Sequence, residues 1–166
     1  MDEKQFVNLV VVNKSKLARY GWYYLKNIDD VNDTLQDLFV RLWKMRFTLA
    51  NYDSVLALSM TMMRNMCFDK LRKQKGLVNL SIDQLPDIID FPPNENQSTE
   101  ITKLYLEINK LTGLQKEIIT LKDIEGYDYQ EICQILDLEI GAVRTNLCRA
   151  RQKIRDRIIK NRENGC

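Results

Sequence analysis

Two stretches of helical periodicity, on either side of a stretch of helix breakers, constrain this chain more than any other feature of its sequence. From about residue 5 to 75, and again from about 101 to 160, apolar residues recur every three or four positions, as they do along the buried face of a helix. Residues 76–100 instead hold all 3 prolines of the chain together with Asn, Gln and Ser. The pattern predicts an all-α protein of two small helical domains, 1–75 and 101–166, joined by a linker over 76–100.

The composition removes most kinds of catalytic and metal site. The chain has no histidine among its 166 residues, which excludes His-based acid/base catalysis and every His-containing metal site. Its cysteines, Cys67, Cys133, Cys148 and Cys166, stand far apart, so there is no CxxC pair and no imidazole to activate a thiol. We therefore predict no catalytic residue, no metal site and no cofactor, and favour a binding protein over an enzyme.

The sequence also gives no sign of a membrane protein. No apolar run approaches the roughly 20 residues that a membrane-spanning helix needs. The first residues, beginning Met-Asp-Glu-Lys, lack the basic segment and apolar core of a signal peptide. We expect a cytoplasmic protein with free thiols and no membrane insertion.

In the first helical domain, two stripes of apolar residues predict two amphipathic helices. Leu35, Leu38 and Leu42 form one stripe, and the residues beside it are mostly polar or acidic. An acidic patch on this helix either complements a helix N-terminus or docks on a basic protein partner, and it consists of Asp29, Asp30, Asp33, Gln36 and Asp37. A second helix is predicted from about residue 54 to 73, with the stripe Leu56, Met60, Met63, Cys67 and Leu71.

The opposite face of the second helix combines residue types that bind single-stranded nucleic acid. Asn and Arg can hydrogen-bond unpaired bases, an aromatic ring can stack on them, and Lys and Arg can contact phosphates. The residues predicted on this face are Thr61, Asn65, Phe68, Asp69 and Arg72, and the set is completed on the same helix by Arg64 and Lys73. The alternative is an ordinary solvated helix face with Phe68 in a core contact.

The end of the chain has the pattern of a helix-turn-helix. Asp128 and Glu131 form a capping-box pattern, a turn is expected from 137 to 140, and a long basic helix follows. Thr112 and Gln115 predict a similar cap on an earlier helix that reaches Lys122. In the long helix, an inward stripe of Val143, Leu147, Ala150, Ile154 and Ile158 leaves a polar, basic face outside.

Charge along the chain supports contact with a polyanion. Residues 141–166 carry a net charge of +6 and residues 60–75 carry +4, whereas residues 76–100 carry −5. Polar side chains near the start of the last helix can reach base edges, and arginines can fork onto guanine or neutralise phosphates. The alternative is a C-terminal amphipathic helix whose basic face is merely solvated.

An ordered set of motifs over nearly the whole chain resembles a known family. The first matches the pattern D-x-x-Q-E/D-x-F-x-R-L-W through Asp33, Gln36, Asp37, Phe39, Arg41, Leu42 and Trp43. The second matches R-N-x-x-x-D-x-L-R-R through Arg64, Asn65, Asp69, Leu71, Arg72 and Lys73. A third, helix-turn-helix motif lies in Leu114, Gln115, Glu117, Gly126, Tyr129, Glu131, Ile132, Gly141, Val143, Arg144, Arg149, Ala150 and Arg151. The chain resembles bacterial RNA polymerase sigma factors of the extracytoplasmic-function (ECF) type.

This resemblance implies a transcription initiation factor that binds core RNA polymerase and directs it to promoters. Asp33, Gln36, Asp37 and Arg41 would lie on the surface that docks on core polymerase, and Trp43 would pack inside. The second helix would contact the minus-10 element and aid promoter melting, with the loop from Phe47 to Ser54 completing a pocket for an unpaired base. The acidic linker would thread toward the RNA exit path.

The resemblance also assigns the last helix to the minus-35 promoter element. Arg144, Thr145, Asn146 and Arg149 would read this DNA, with Arg151 and Lys153 nearer its backbone. An anti-sigma factor is a further candidate partner. The sequence departs from the family pattern at Leu58, Thr112, Gly113, Ala142 and Asn146. Because two of these positions lie on the reading face, the minus-35 preference is expected to be atypical.

A stand-alone helix-turn-helix regulator, whose N-terminal helices dimerise or sense a ligand, is the competing interpretation. Such a regulator would not need the two motifs of the N-terminal domain, 33–43 and 64–73. These motifs therefore favour the sigma-factor hypothesis.

Overall fold

The computed structural model describes residues 1–76 and 98–165, and within these residues the chain is helical, with no β-strand. The first part contains α1 (Glu3–Leu25), α2 (Ile28–Lys44), a short 3₁₀ turn (Leu49–Asn51) and α3 (Val55–Lys75). The second contains α4 (Thr99–Asn109), α5 (Gly113–Ile119), a π-helical turn (Thr120–Ile124), α6 (Tyr129–Leu136) and α7 (Ile140–Glu163). The chain divides into two compact units, one built from α1–α3 and the other around α4–α7. The predicted all-α, two-domain fold is confirmed.

Local capping explains how α1 begins and ends and how α2 begins. The Asp2 side chain accepts a hydrogen bond from the Gln5 backbone at 2.8 Å, and the Gln5 side chain returns one to Asp2. Lys26 ends α1 in the left-handed region, at φ 50°. Asn27 then caps α2 by accepting from the backbone N–H groups of Asp29 and Asp30. One short connection thus stops one helix and starts the next.

The core of the N-terminal unit lies where α1, α2 and α3 pack on one another. The predicted stripe of α2 is buried, with Leu35, Leu38 and Leu42 at most 2% exposed. Met60, Met63, Cys67 and Leu71 of the α3 stripe are also buried, whereas Leu56 is half-buried. The α1 helix adds Leu17, Tyr20 and Tyr24 to this core. Both predicted stripes therefore face the interior.

The predicted linker of 76–100 falls mostly on residues 77–97, which lie outside the described residues. At its start, Gly76 adopts φ 62° after α3. At its end, Ser98 caps α4, which begins at Thr99. The last two residues of the predicted linker are therefore helical, because Ser98 supplies an N-cap that the proline pattern did not reveal.

In the C-terminal unit, α7 packs its apolar stripe against α4 and α5. Val143, Leu147, Ala150 and Ile154 are buried, as predicted, and Ile158 is half-buried. With 24 residues, α7 is longer than α4, α5 or α6, and it supplies the unit's continuous apolar surface.

Two details of α5 differ from the sequence prediction. Thr112 occupies the N-cap position, but its side chain makes no capping hydrogen bond, so the predicted capping box is wrong. The Gln115 side chain instead accepts a hydrogen bond from the Lys153 ammonium group at 3.0 Å. The predicted helix to Lys122 is regular only to Ile119 and continues as the π-helical turn. The Gln115 side chain, which the capping box would have used, is therefore hydrogen-bonded to α7 instead.

None of the helices in the described ranges, 1–76 and 98–165, is long and apolar enough to cross a membrane.

Candidate nucleic-acid interface

A tight, well-capped connection sets α7 against α6. The Asp128 side chain accepts from the Glu131 backbone at 2.8 Å, and the Glu131 carboxylate accepts from the Asp128 backbone at 3.1 Å. Asp137 ends α6 in the left-handed region, at φ 54°. The Leu138 N–H donates to the Cys133 carbonyl at 3.1 Å, and α7 begins at Ile140. This geometry confirms both the predicted capping box and the helix-turn-helix.

The predicted reading face of α7 is open to solvent at its centre. Arg144, Thr145 and Arg149 are exposed. Asn146 is half-buried, and its side-chain amide donates to the Ala142 carbonyl of the same helix at 2.9 Å. An exposed polar and basic face near the start of the second helix of a helix-turn-helix can reach the edges of bases in a DNA groove.

Two cations expected nearer the DNA backbone, Arg151 and Lys153, make hydrogen bonds within the C-terminal unit. Arg151 donates two hydrogen bonds to the Asp123 carboxylate, at 2.9 and 2.5 Å. Hydrogen bonding to Asp123 raises the pKa of the Arg151 guanidinium above its usual value. Lys153 donates to the Gln115 side chain. Both side chains therefore hold α7 to the preceding elements, a role that the sequence pattern did not reveal.

The sequence analysis did not single out Lys122 and Tyr129, which lie close to Arg144 of α7. The Lys122 ammonium lies 4.8 Å from the centre of the Tyr129 ring, and the Arg144 guanidinium lies 5.3 Å from the same centre. The signal in the sequence was an aromatic residue directly after the Asp128 cap, but nothing in the spacing indicated which cations would meet it.

The predicted basic face of α3 is only partly open. Asn65, Asp69 and Lys73 are exposed. Arg72 is half-buried and lies 3.4 Å from the Asp69 carboxylate, one turn earlier. Thr61 is half-buried, and its hydroxyl donates to the Ala57 carbonyl at 2.9 Å. The exposed part of this face is therefore a narrower strip than the sequence predicted.

The predicted exposure of Phe68 is wrong, and Arg64, also expected to contact DNA, is buried. Phe68 is 4% exposed and packs edge-on against Tyr24, with ring centres 5.2 Å apart. Arg64 is 6% exposed, and its guanidinium lies 4.5 Å from the centre of the Phe68 ring. The reason is that α3 packs against both α1 and α2, so its buried face is wider than a single stripe. The alternative of a core contact for Phe68 is correct.

The acidic face of α2 is exposed as predicted. All of its proposed docking residues, Asp33, Gln36, Asp37 and Arg41, are open to solvent. Asp30, by contrast, is held against α3 by the Lys70 ammonium at 2.8 Å and by the Gln74 amide at 3.0 Å. These hydrogen bonds lower the pKa of the Asp30 carboxyl below its usual range. The acidic patch thus divides into Asp30, which fixes α2 to α3, and an exposed outer face, on which Asp33 lies 3.9 Å from the same Lys70 ammonium.

Large aromatic side chains are exposed in the connection between α2 and α3. Phe47 is 72% exposed and Tyr52 is 45% exposed. The Arg46 guanidinium lies 4.2 Å from the Trp43 ring centre and 4.1 Å from that of Phe47. Trp43 itself is half-buried against Phe6, with ring centres 5.1 Å apart. This loop therefore presents aromatic surface beside α3.

The Cys67 side chain lies in the core of the N-terminal unit. Burial raises the pKa of the Cys67 thiol to about 12, which keeps it protonated and unreactive at neutral pH. Within residues 1–76 and 98–165, no group of three or more Cys, Asp or Glu side chains is arranged to hold a metal ion.

Comparisons with known protein families match both units. Residues 9–76 match the family described as Sigma-70 region 2, and residues 101–154 match Sigma-70, region 4. Among curated proteins, the chain is 28% identical to the ECF RNA polymerase sigma-E factor of Haemophilus influenzae, over 95% of this chain and 89% of that relative. It is 24% identical to the ECF RNA polymerase sigma factor SigW of Bacillus subtilis, over 95% of this chain and 90% of that protein.

Solved structures show the same fold. The sigma factor RpoE from Bartonella quintana, solved in complex with the anti-sigma factor NepR, has a TM-score of 0.68 at 20% identity. The match covers 92% of this chain and 96% of that chain. With both sigma-70 regions matched in order, and with a capped helix-turn-helix at its C-terminal end, this chain belongs to the sigma-70 family and is a promoter-recognising RNA polymerase sigma factor of the ECF type.

Proposed function

We propose that this sigma factor binds its partners through three surfaces. The outer face of α2 binds core RNA polymerase, the exposed edge of α3 binds the minus-10 element, and α7 binds the minus-35 element. The observation that carries this proposal is the open polar face of α7 behind a capped α6. The protein would act in the cytoplasm, by binding rather than by catalysis.

The face of α2 that carries Asp33, Gln36, Asp37 and Arg41 is the proposed docking surface for core polymerase. Its carboxylates are exposed, and the packing of α2 uses the opposite side of the helix. Exposed charges of this kind contribute chiefly to orientation and association rate when they meet a complementary surface. The polymerase surface that receives them should therefore be basic.

For the minus-10 element, the proposed contacts are the exposed Asn65, Asp69 and Lys73, together with the half-buried Thr61 and Arg72. Asn65 can hydrogen-bond an unpaired base, and the exposed aromatic residues of the loop between α2 and α3 can stack beside it. The buried Phe68 and Arg64 would support this helix from within, and no direct DNA contact is proposed for them.

For the minus-35 element, the proposed reading residues are Arg144, Thr145, Asn146 and Arg149. Arg151 and Lys153 would contribute positive charge at the edge of this surface while keeping their contacts with Asp123 and Gln115. A guanidinium that forks onto a guanine discriminates against other bases by about 1–3 kcal/mol. Arg149, exposed at the middle of the face, is the best placed to do so.

An anti-sigma factor is a proposed regulatory partner. The RpoE structure was solved with the anti-sigma factor NepR. A second similar structure, CnrH with the cytosolic domain of CnrY, has a TM-score of 0.62 at 22% identity, over 96% of this chain and 91% of that one. Both relatives were therefore captured with a protein partner.

The proposal is tested by selecting promoter DNA with the holoenzyme, made from this chain and bacterial core RNA polymerase, out of a random-sequence library. Wild-type holoenzyme should enrich two spaced elements. Arg149→Ala should lose preference in the upstream element alone, whereas Lys160→Ala, a charge removed from the far end of α7, should keep both. Unchanged preference with Arg149→Ala would show that this face does not read the DNA.

A further inference from the structure

Valine side chains are exposed along the first half of α1, away from the side of the helix that packs into the core. Phe6 and Leu17 are buried and form the inward side. Val7 is 51% exposed, Val11 is 66% exposed and Val12 is 65% exposed. Valine is a poorer helix former than Lys, Glu or Gln, because its branched side chain loses rotamer freedom in a helix. Exposed valines so close together therefore indicate a contact with another molecule.

Val7 and Val11 lie on one narrow face of α1 together with two charged residues. At about 100° of rotation per residue, Val11 lies about 40° to one side of Val7 around the helix axis. Glu3 and Lys14 lie about 40° and about 20° to the other side of Val7, and both are exposed. Val12 lies about 140° from Val7 and is outside this face. We call Glu3, Val7, Val11 and Lys14 the α1 stripe.

The two charges of the α1 stripe are not compensated within residues 1–76 and 98–165. Neither Glu3 nor Lys14 takes part in an ion pair there, whereas Lys70 of α3 is paired with Asp30. Glu3 and Lys14 lie about 16 Å apart along the helix, at a rise of about 1.5 Å per residue. They are therefore too far apart to pair with each other within one copy of the chain.

The α1 stripe is complementary to itself when two copies of the helix run antiparallel. The midpoint between Val7 and Val11 falls at residue 9, and the midpoint between Glu3 and Lys14 falls between residues 8 and 9. These midpoints differ by less than about 1 Å along the helix. A two-fold axis at this point therefore places Val7 of each copy against Val11 of the other. The same axis places Glu3 of each copy against Lys14 of the other.

We infer that the α1 stripe binds the same stripe of a second copy of this chain, as an antiparallel helix pair about a two-fold axis. The contact buries the valines of both copies and forms an ion pair at each end. A single helix face buries less area than the roughly 1,200 Å² of a stable interface, so the dimer is weak and depends on concentration. The residues proposed to bind polymerase and DNA lie on other helices, and the inference therefore goes beyond the proposed function.

A second copy is favoured over an unrelated protein because the α1 stripe carries opposite charges at its two ends. A uniformly acidic helix would pair with Lys14 and be repelled by Glu3, and a uniformly basic helix would do the reverse. An antiparallel copy supplies the charges in the required order. A parallel copy would bring like charges together at both ends, so the antiparallel arrangement is favoured.

Sedimentation equilibrium of the full chain, from micromolar to submillimolar concentrations, tests the inference. The wild-type chain should shift from monomer to dimer over this range. Val11→Asp should raise the dimer dissociation constant by about tenfold or more, because each dimer would bury two unpaired carboxylates. Val12→Asp makes the same change one position further along α1, outside the stripe, and should leave the constant within about twofold.

The ion pairs are tested by exchanging their charges. Glu3→Lys and Lys14→Glu should each raise the dissociation constant by about threefold or more, because each variant brings like charges together twice. An equimolar mixture of the two variants should dimerise as the wild type does, since a mixed dimer regains both ion pairs. Circular dichroism checks that α1 forms in each variant. A variant weakened merely by loss of helix would not be restored by mixing.

Three results would overturn the inference. A wild-type chain that stays monomeric over the whole range would leave the valines to a different kind of partner. Equal effects of Val11→Asp and Val12→Asp, or no effect of either, would place any self-association elsewhere. A mixture of Glu3→Lys and Lys14→Glu that dimerises no better than its components would exclude the antiparallel pairing. None of these substitutions changes a residue proposed to bind polymerase or DNA, so the proposed function is tested separately.

Discussion

At the scale of single residues, burial decides which side chains of this protein are chemically available. Cys67 lies in the core of the N-terminal unit and is fully buried, whereas Cys148 is exposed on α7. The thiol group is therefore found in two environments within this chain, one buried and one exposed to solvent. The difference follows from packing alone, since a thiolate in an apolar core has lost its hydration.

We expect alkylation of the native protein to separate these thiols. Iodoacetamide at pH 8 should modify Cys148 and leave Cys67 unmodified, because burial raises the pKa of Cys67 from 9.0 to about 12. Peptide mass mapping after quenching measures both sites, and a urea-unfolded sample is the control in which Cys67 reacts. Rapid labelling of native Cys67 would contradict the burial.

The same thiol makes stability depend on alkaline pH. Its folded pKa lies above its unfolded value, so the unfolded chain releases this proton first as pH rises. The contribution of Cys67 to stability should be intact below about pH 9 and decline as pH approaches 12. Urea denaturation of Cys67→Ser beside the wild type, at pH 8 and pH 10.5, should show a smaller pH dependence in the variant.

Phe68 is a structural residue, because it is enclosed between Tyr24 and Arg64. Phe68→Ala should lower the free energy of unfolding by about 3–5 kcal/mol, through the lost burial and the cavity left behind. The exposed neighbour Asn65→Ala should change it by less than about 0.5 kcal/mol. Urea denaturation measures both. A Phe68→Ala variant of full stability that fails only in promoter melting would return this ring to the DNA surface.

At the scale of elements, side-chain caps mark the start of α4 and α6 in the C-terminal unit. The cap of α6 is complete in both directions, whereas Thr112 before α5 makes no capping hydrogen bond. Both positions had the same pattern in the sequence. What separates them is Gln115, whose side chain is occupied by Lys153 of α7.

These two caps give a matched pair of variants. Asp128→Ala should reduce the free energy of unfolding by about 1 kcal/mol, because it removes a cap that satisfies a backbone N–H. Thr112→Ala should have a much smaller effect, because no such bond is present to lose. Equal losses in the two variants, measured by thermal or urea denaturation, would contradict this assignment of the caps.

The sequence predicts the elements of this fold better than their contacts. The leucine stripe of α2, the stripe of α7 and the cap at Asp128 all follow from local spacing, and the structure confirms them. Phe68 and Gln115 were misjudged because their environments depend on helices distant in the sequence. Lys122 and Tyr129 were missed for the same reason, since only the turn after α5 brings them to Arg144.

At the scale of the whole molecule, basic and acidic residues lie on surfaces proposed for different partners. The basic last turns of α3 and the basic face of α7 from Arg144 to Lys153 belong to the surfaces proposed for DNA, and the acidic outer face of α2 belongs to the surface proposed for polymerase. Within the N-terminal unit, Asp30 is paired with Lys70 and is thereby separated from the docking face. Partners of opposite charge can then bind to different surfaces of one small protein.

Reversing one charge on the docking face should weaken polymerase binding without harming the fold. Asp37 is exposed, and Asp37→Arg should raise the Kd for core polymerase by about tenfold, mainly through slower association. Glu163→Arg, an equal charge change at the exposed end of α7, should leave this Kd within about twofold. Biolayer interferometry at two salt concentrations measures both rates. Equal effects of the two variants would move the docking surface away from α2.

Native mass spectrometry of the full chain mixed with bacterial core RNA polymerase tests whether this chain is a sigma factor. A sigma factor known to bind the same core serves as the positive control. We expect a one-to-one complex that then transcribes from a promoter selected by the holoenzyme. Absence of any complex, under conditions where the control sigma factor binds, would contradict it.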